Sequence, residues 1–282
     1  MTMLWLQLRN ELWKLFGKRR TYIGSGMFFL AQSIGILLFQ FGQGPYRDLV
    51  RDIENFGASP EQFITNLTVA SFLLVPIVYF LLPLYVSLVG GDMVAKEAED
   101  GTLRMILCRP ISRLRLLLLK WCAGVIFSFV LVISLGIFSV LVASVFFPGG
   151  GLFVVVPLDR IISTFDGISA WERFGIVHVF MTFEAVTLMT LAFMFSCFNV
   201  KPAAATILGI SVFFISMILH DMPYFRELRE WFMVHHLHLW SNFFRPHIPW
   251  WRVGESLSIL AGYNFTFLII GCVAFQRRDI KS

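Results

Sequence analysis

Residues 97–120, EAEDGTLRMILCRPISRLRLLLLK, decide how this chain is read. They are its long charged interior stretch, and very hydrophobic runs flank them. Six basic residues lie in or beside it: Lys96, Arg104, Arg109, Arg113, Arg115 and Lys120. Four acidic residues, Asp92, Glu97, Glu99 and Asp100, crowd its front. A membrane-embedded chain with one such charged hinge is expected to meet a water-side partner through it.

Composition supports the membrane setting. Of 282 residues, 57% are hydrophobic and 15% charged, and the mean hydropathy is +0.74. Soluble domains carry about 25% charged residues, so this deficit, with 31 Phe and 8 Trp, points to an integral membrane protein. The net charge of +5 does not signal a nucleic-acid partner. Its basic residues sit beside apolar runs, where they set orientation. Cys108, Cys122, Cys197 and Cys272 lack disulfide or CxxC spacing and read as small buried apolar side chains. The first apolar run follows roughly 20 residues of charged chain and is too long for a signal core, so no cleavable leader is expected.

A helix needs about 20 apolar residues to cross a bilayer. Runs free of Asp, Glu, Lys, Arg and His cover 21–46, 62–91, 121–158, 202–219 and 256–276. A further run, 174–200, is interrupted only by His178 and Glu184. The expectation is an all-α membrane protein, a single domain over 1–282, with spans at about 21–42, 64–91, 117–147, 172–198, 202–219 and 256–276. Fifteen of the 23 Lys and Arg residues then fall on the side of the two termini and the hinge. The positive-inside rule makes that side cytoplasmic. The tryptophans are expected at the membrane surfaces, none at mid-membrane.

Residues 4–18 have helical amphipathicity. Leu4, Trp5, Leu8, Leu12, Leu15 and Phe16 share one side; Gln7, Asn10, Glu11, Lys14 and Lys18 share the other. An interfacial helix over 1–20 is expected, with its lysines toward lipid phosphates. Between spans five and six, residues 220–255 are rich in aromatics and are read as short helices dipping into the outer leaflet.

Catalytic signatures are absent from the sequence. There is no GxxxxGK[ST] phosphate loop, HExxH, GxSxG or EF-hand loop. With six spans, inner termini and the hinge, the chain resembles the permeases of type-2 ABC exporters. The resemblance rests on Glu97, Glu99, Asp100-Gly101-Thr102-Leu103, Pro110-Ile111-Ser112-Arg113 and Lys120. The close of the sixth span, Phe275-Gln276-Arg277-Arg278-Asp279-Ile280, adds support. It implies a cytoplasmic coupling helix between spans two and three, within residues 92–115, docking on a separate ABC ATPase subunit. The coupling residues would be Glu97, Glu99, Asp100, Gly101, Thr102, Leu103, Arg104, Pro110 and Arg113. Leu103, Ile106 and Leu107 would enter an apolar cleft on that partner. Gly101 permits a turn, Pro110 stops the helix, and Ser112 caps the next one.

The resemblance further implies a second permease, identical or related, and a bacterial or archaeal inner (plasma) membrane. ATP and Mg would sit on the partner, with no cofactor and no enzymatic activity on this chain. Two rivals stand beside it. One is a non-transporting subunit that passes ATPase motion to an outer partner. The other is a proton-coupled transporter using Glu184, the acidic residue deep inside a span. That side chain also fits a carboxyl hydrogen-bonded within the bundle. His178 is expected at the outer surface. His235, His236 and His238 form an HHxH cluster better read as an interfacial helix than as a metal site. Pro76 and Pro83, about two turns apart in span two, are hinge candidates or static kinks.

Overall fold

The computed structural model describes residues 3–108, 111–157, 159 and 161–278. Six of its helices are long and apolar enough to cross a membrane. An amphipathic helix α1 (Met3–Gly17) leads directly into the first span, α2 (Arg19–Phe41). Two short helices, α3 (Gln43–Asn55) and α4 (Pro60–Phe63), connect to the second span. That span is α5 (Asn66–Pro76), a π-helical turn (Ile77–Leu81) and α6 (Leu82–Glu99). A six-residue helix, α7 (Thr102–Leu107), follows, and then the third span, α8 (Arg113–Phe146).

A hairpin that the all-α expectation omitted comes next. Strands β1 (Leu152–Val156) and β2 (Ile161–Phe165) pair antiparallel, with Val154 opposite Ser163. Their sequences, LFVVV and IISTF, are rich in the β-branched residues that suit a pleated surface. The hairpin is tied to the second span. The Thr65 hydroxyl donates to the Gly151 carbonyl at 2.6 Å, and the Phe153 amide donates to Thr68 Oγ1 at 3.0 Å. We call this end of the bundle the hairpin end, and the opposite one the terminal end.

The fourth span is α9 (Gly167–Ser196) and the fifth α10 (Pro202–Asp221). A 3-10 turn (Pro223–Trp231), α11 (Met233–Leu237) and a second 3-10 turn (His238–Phe244) lead to the sixth span, α12 (Trp250–Arg277). Helices run past the charge-free windows because Asp92, Glu97, Arg252 and Glu255 continue the helical turns beyond the apolar core. Trp250 and Trp251 therefore open the sixth helix instead of lying in a loop.

α9 is the axis of the bundle. In its apolar window 78% of residues are buried, against 11% for α12. Close approach around it requires glycine. A Cβ on Gly90 would fall on the backbone carbonyl of Met189, and one on Gly91 on Thr206 of the fifth span. Small residues at such crossings let backbones meet, and packing is what holds helices together in lipid.

The segment between the fifth and sixth spans is exposed over Pro223–Trp231, but its second half, Met233–Phe244, does not lie on the surface. Trp240, Phe243 and Phe244 are at most 1% exposed, so its 3-10 turn is packed on protein. Irregular backbone at membrane depth is tolerated only in that setting. His178 is likewise buried, its ring against Gly136 of the third span, not at the surface. Its Nδ1 sits 2.8 Å from the Phe174 carbonyl.

Gly90→Ala is expected to destabilise the fold by about 1–3 kcal/mol through overpacking against backbone. Gly26, whose Cβ position is open, is the control. A thermal melt of purified protein showing Gly90→Ala equal to Gly26→Ala would contradict the α6–α9 crossing.

Candidate functional site

At the terminal end, a lysine is buried where three helices meet. Lys120, directly after the four leucines Leu116–Leu119 of α8, is 2% exposed. Its Nζ lies 2.7 Å from Glu11 Oε2 of α1 and 2.7 Å from Glu97 Oε1 of α6. Lys14 closes the ring, 2.6 Å from Glu11 Oε1 and 3.3 Å from Glu97 Oε1. Two ammonium groups and two carboxylates thus balance in one ionic knot. Burying one such charge alone costs several kcal/mol, so Lys120, Glu11 and Glu97 require one another, while the half-exposed Lys14 completes the balance.

The knot fixes the N-terminal helix. Leu15 is buried, and Leu8, Leu12 and Phe16 pack on the same core. The polar face is turned inward at Glu11, so Lys14 meets carboxylates where lipid phosphates were expected. Trp5 and Trp13, at 48% and 73% exposed, form the outward edge. Burial acts to raise the Glu11 carboxyl, but Lys120 and Lys14 overcome it and hold it below its ordinary 4.5. Burial opposes the Lys14 charge too, yet Glu11 and Glu97 leave it above its ordinary 10.5.

Further ties lock the same end. Arg20 Nη1 reaches Asp92 Oδ2 at 2.7 Å, joining the first two spans. Arg113 Nη1 donates to the carbonyls of Gln276 at 3.2 Å and Arg278 at 3.1 Å. Arg278 in turn donates to the Phe198 carbonyl and Asn199 Oδ1, both at 3.1 Å.

The hinge is a helix–turn–helix built on this base. α6 ends at Glu99, and Gly101 adopts φ +72°, a left-handed conformation that favours glycine. α7 then doubles back, and the Thr102 hydroxyl donates to the Glu97 carbonyl at 3.2 Å. The Ser112 hydroxyl caps α8 by accepting from the Arg115 amide, as its sequence position suggests. Pro110 lies outside the described residues.

The expected docking residues separate into two sets. Leu103 is 1% exposed and Ile106 packs on the protein's own core, so these two are anchors rather than partner-facing side chains. Glu97 also turns inward, to the knot. Glu99 and Asp100 remain outward, paired with Lys96 at 2.7 and 3.2 Å. Arg104, Met105 and Cys108 are exposed, Met105 at 67%, so Cys108 departs from the buried reading of the cysteines. Between α1, α7 and the start of α8 opens a cleft of about 770 Å3, lined by Trp13, Lys14, Asp100, Met105 and Ile111 among others. The contribution of α1 was missed in the sequence. Its signal was Lys120 itself, a lysine inside LLLLKW that needs a counter-ion.

Glu184 is sealed in the bundle at 1% exposed. The Trp240 indole donates to its Oε2 at 3.0 Å, while Oε1 has no hydrogen-bond partner among the described residues. Trp240 therefore lies beside the middle of the fourth span, contrary to the expected surface position. No group of three metal-ligating side chains is present among the described residues. His236 is occupied by the Glu230 carbonyl at 2.9 Å and the Ser256 hydroxyl at 3.1 Å. Pro76 and Pro83 bracket the π-helical turn.

Six apolar helices define a multi-pass α-helical membrane protein. The chain belongs to the protein family of unknown function DUF2705, whose sequence profile matches residues 23–281. It is also similar to the uncharacterized protein YhcI of Bacillus subtilis (strain 168), 24% identical over 211 residues. That match covers 71% of this chain and 64% of the relative's length.

Removing the Lys120 charge leaves two buried carboxylates facing each other. Lys120→Met is expected to cost about 3–5 kcal/mol. Glu11→Gln added to it is expected to recover part of the loss, and strictly additive thermal melts would refute the knot. Linkage sets its pH window. Glu11, lowered, contributes stability above pH 4.5 that is lost as pH falls through its folded value; Lys14, raised, contributes below pH 10.5 and loses it as pH rises through its own.

Trp240→Phe leaves both Glu184 oxygens without a donor, an expected loss of about 1–3 kcal/mol. Glu184→Gln keeps an acceptor for the indole and is expected to fold near normally. Unfolding curves in which Glu184→Gln is the worse variant would refute this role.

Proposed function

We propose that this protein is the membrane permease of an ATP-driven exporter of the type-2 ABC class. One observation carries the reading: the Gly101 helix–turn–helix is braced by the buried knot while its tip stays exposed. A lever of that kind can receive motion from a separate ATPase. Its tip presents Glu99, Asp100, Arg104 and Met105, and the cleft beside α1 offers room for a partner's side chain. Arg113 passes the same connection to the sixth span through two backbone carbonyls.

In this reading the terminal end is cytoplasmic, as the 15 basic residues on that side support. The partner binds and hydrolyses ATP with Mg, since this chain has no phosphate loop. A second permease would cover the apolar faces that the first and sixth spans leave open, such as Leu38, Phe265 and Ile269. Substrate would pass along the seam between the two permeases. Glu184, sealed and bonded to Trp240, favours a structural role over proton carriage.

The test is co-expression with phosphate-loop ATPase subunits of the ABC class from the same organism. Wild type is expected to co-purify with one of them and to raise its ATP hydrolysis. Met105→Asp combined with Asp100→Lys is expected to lower recovery of the ATPase at least about tenfold, roughly 1.4 kcal/mol of binding, while leaving the permease folded. Unchanged recovery from the double variant would overturn the assignment.

A further inference from the structure

A second polar cluster lies toward the hairpin end, and the lever does not use it. It lines a cavity of about 330 Å3 bordered by the second span, the end of α10, Asp159 and α11 with its following 3-10 turn. Tyr79, His220, His238 and Asp159 all face this cavity. Each presents a buried polar atom without a hydrogen-bond partner among the described residues: Tyr79 Oη, His220 Nε2, His238 Nε2 and Asp159 Oδ2. Buried polar groups are nearly always paired, so four orphans around one cavity need a common cause.

Backbone geometry supplies an independent indication. Tyr79 is the centre of the π-helical turn Ile77–Leu81 and is 3% exposed. Such turns are rare and recur at functional sites. Here the turn follows Pro76, which cannot donate to the helix ladder. It sets the Tyr79 ring edge-on to His238, with centroids 4.5 Å apart. A stable interior would gain more from a regular helix with the hydroxyl bonded.

The lining chooses the ligand. Asp159 and Asp221 contribute two carboxylates, and no lysine or arginine lines the cavity among the described residues. Arg245 stands behind Asp159 and Ser241 bonds it, but burial dominates and pushes the Asp159 carboxyl up. Burial likewise pushes His238 down to about 3, so its ring is neutral at physiological pH. His220 Nδ1 is 3.0 Å from Asp221 Oδ1. A neutral imidazole and a phenol can accept from a cationic N–H group, and the Tyr79 and Phe80 rings offer π-faces. Pro76, Met217 and Val234 make the remaining wall apolar. An anion or phosphate would find no countercharge among these residues.

The geometry points to a binding site for a small hydrophobic ammonium, its N–H groups on Asp159, Tyr79 and His238 and its hydrocarbon body against Met217 and Val234. A volume of this size suits one compact ligand. The site stands independently of how the protein is driven, since it shares no residue with the lever.

The test is equilibrium binding of radiolabelled 1-adamantanamine to the full chain in phosphatidylcholine nanodiscs, with empty discs subtracted. Saturable binding is expected, at least about tenfold tighter than for the isosteric alcohol 1-adamantanol, because a charge-assisted hydrogen bond is replaced by a neutral one. Asp159→Asn is expected to remove that preference. Tyr79→Phe, which keeps the ring and loses only the hydroxyl, is expected to weaken amine binding by about threefold or more. Discs containing phosphatidylethanolamine separate two sources of the ammonium. Displacement of the probe assigns the site to a lipid amine, and no displacement assigns it to a soluble one. Equal binding of amine and alcohol, amine binding indifferent to both substitutions, or no saturable binding would each overturn the proposal and leave a water-filled cavity.

Discussion

A lysine ammonium at the head of an apolar helix must be matched or exposed, and Lys120 is not exposed. Its two carboxylate partners, Glu11 of α1 and Glu97 of α6, both precede it by more than twenty positions in sequence. Satisfying it therefore pins three helices together at one point. The amphipathic helix cannot lift away without stranding Glu11, and α6 cannot rotate without stranding Glu97. Because the site is shielded from water, the cost of stranding a charge is large even where the net gain of the pair is modest. The knot thus acts more as a constraint on arrangement than as a source of stability.

This constraint gives the hinge its character. α7 is only six residues long and would not persist alone. It is held by Leu103 in the core, by the Thr102 bond to the Glu97 carbonyl and by the knot beneath that carbonyl. Its exposed tip is consequently anchored to the membrane helices through these contacts. Such anchoring is the property that the proposed coupling role requires, since a soft loop would absorb a push instead of transmitting it. At the other end the design is reversed. The π-helical turn and the orphaned polar atoms around Tyr79 give up local stability and leave a cavity between well-packed walls.

Much of this was legible from residue order. Charge-free runs marked six spans because lipid admits few charges, and the Ser112 cap was readable from a serine preceding a long apolar run. The hairpin was not, because LFVVV prolongs the third apolar run and periodicity cannot divide a buried strand from a helix end. Nor was the inward turn of Leu103 and Glu97. On a short helix every face is plausible until the neighbouring helices are placed. Trp240 and His178 were expected at the surface from residue preference, which tertiary packing overrides once Glu184 and Gly136 provide a buried partner and a fitting hollow.

The sequence by itself determined the membrane class, the six apolar helices and the position of the charged hinge. Each follows from local composition, since the bilayer tests every segment separately for apolar length. Tertiary structure alone decided which charges of the hinge face inward, that α1 is bound through Glu11, and that Tyr79, Asp159, His220 and His238 share a cavity. Those outcomes depend on groups distant in sequence meeting in a low-dielectric interior. There, an unmatched charge or hydrogen-bonding atom costs more than any local preference can supply.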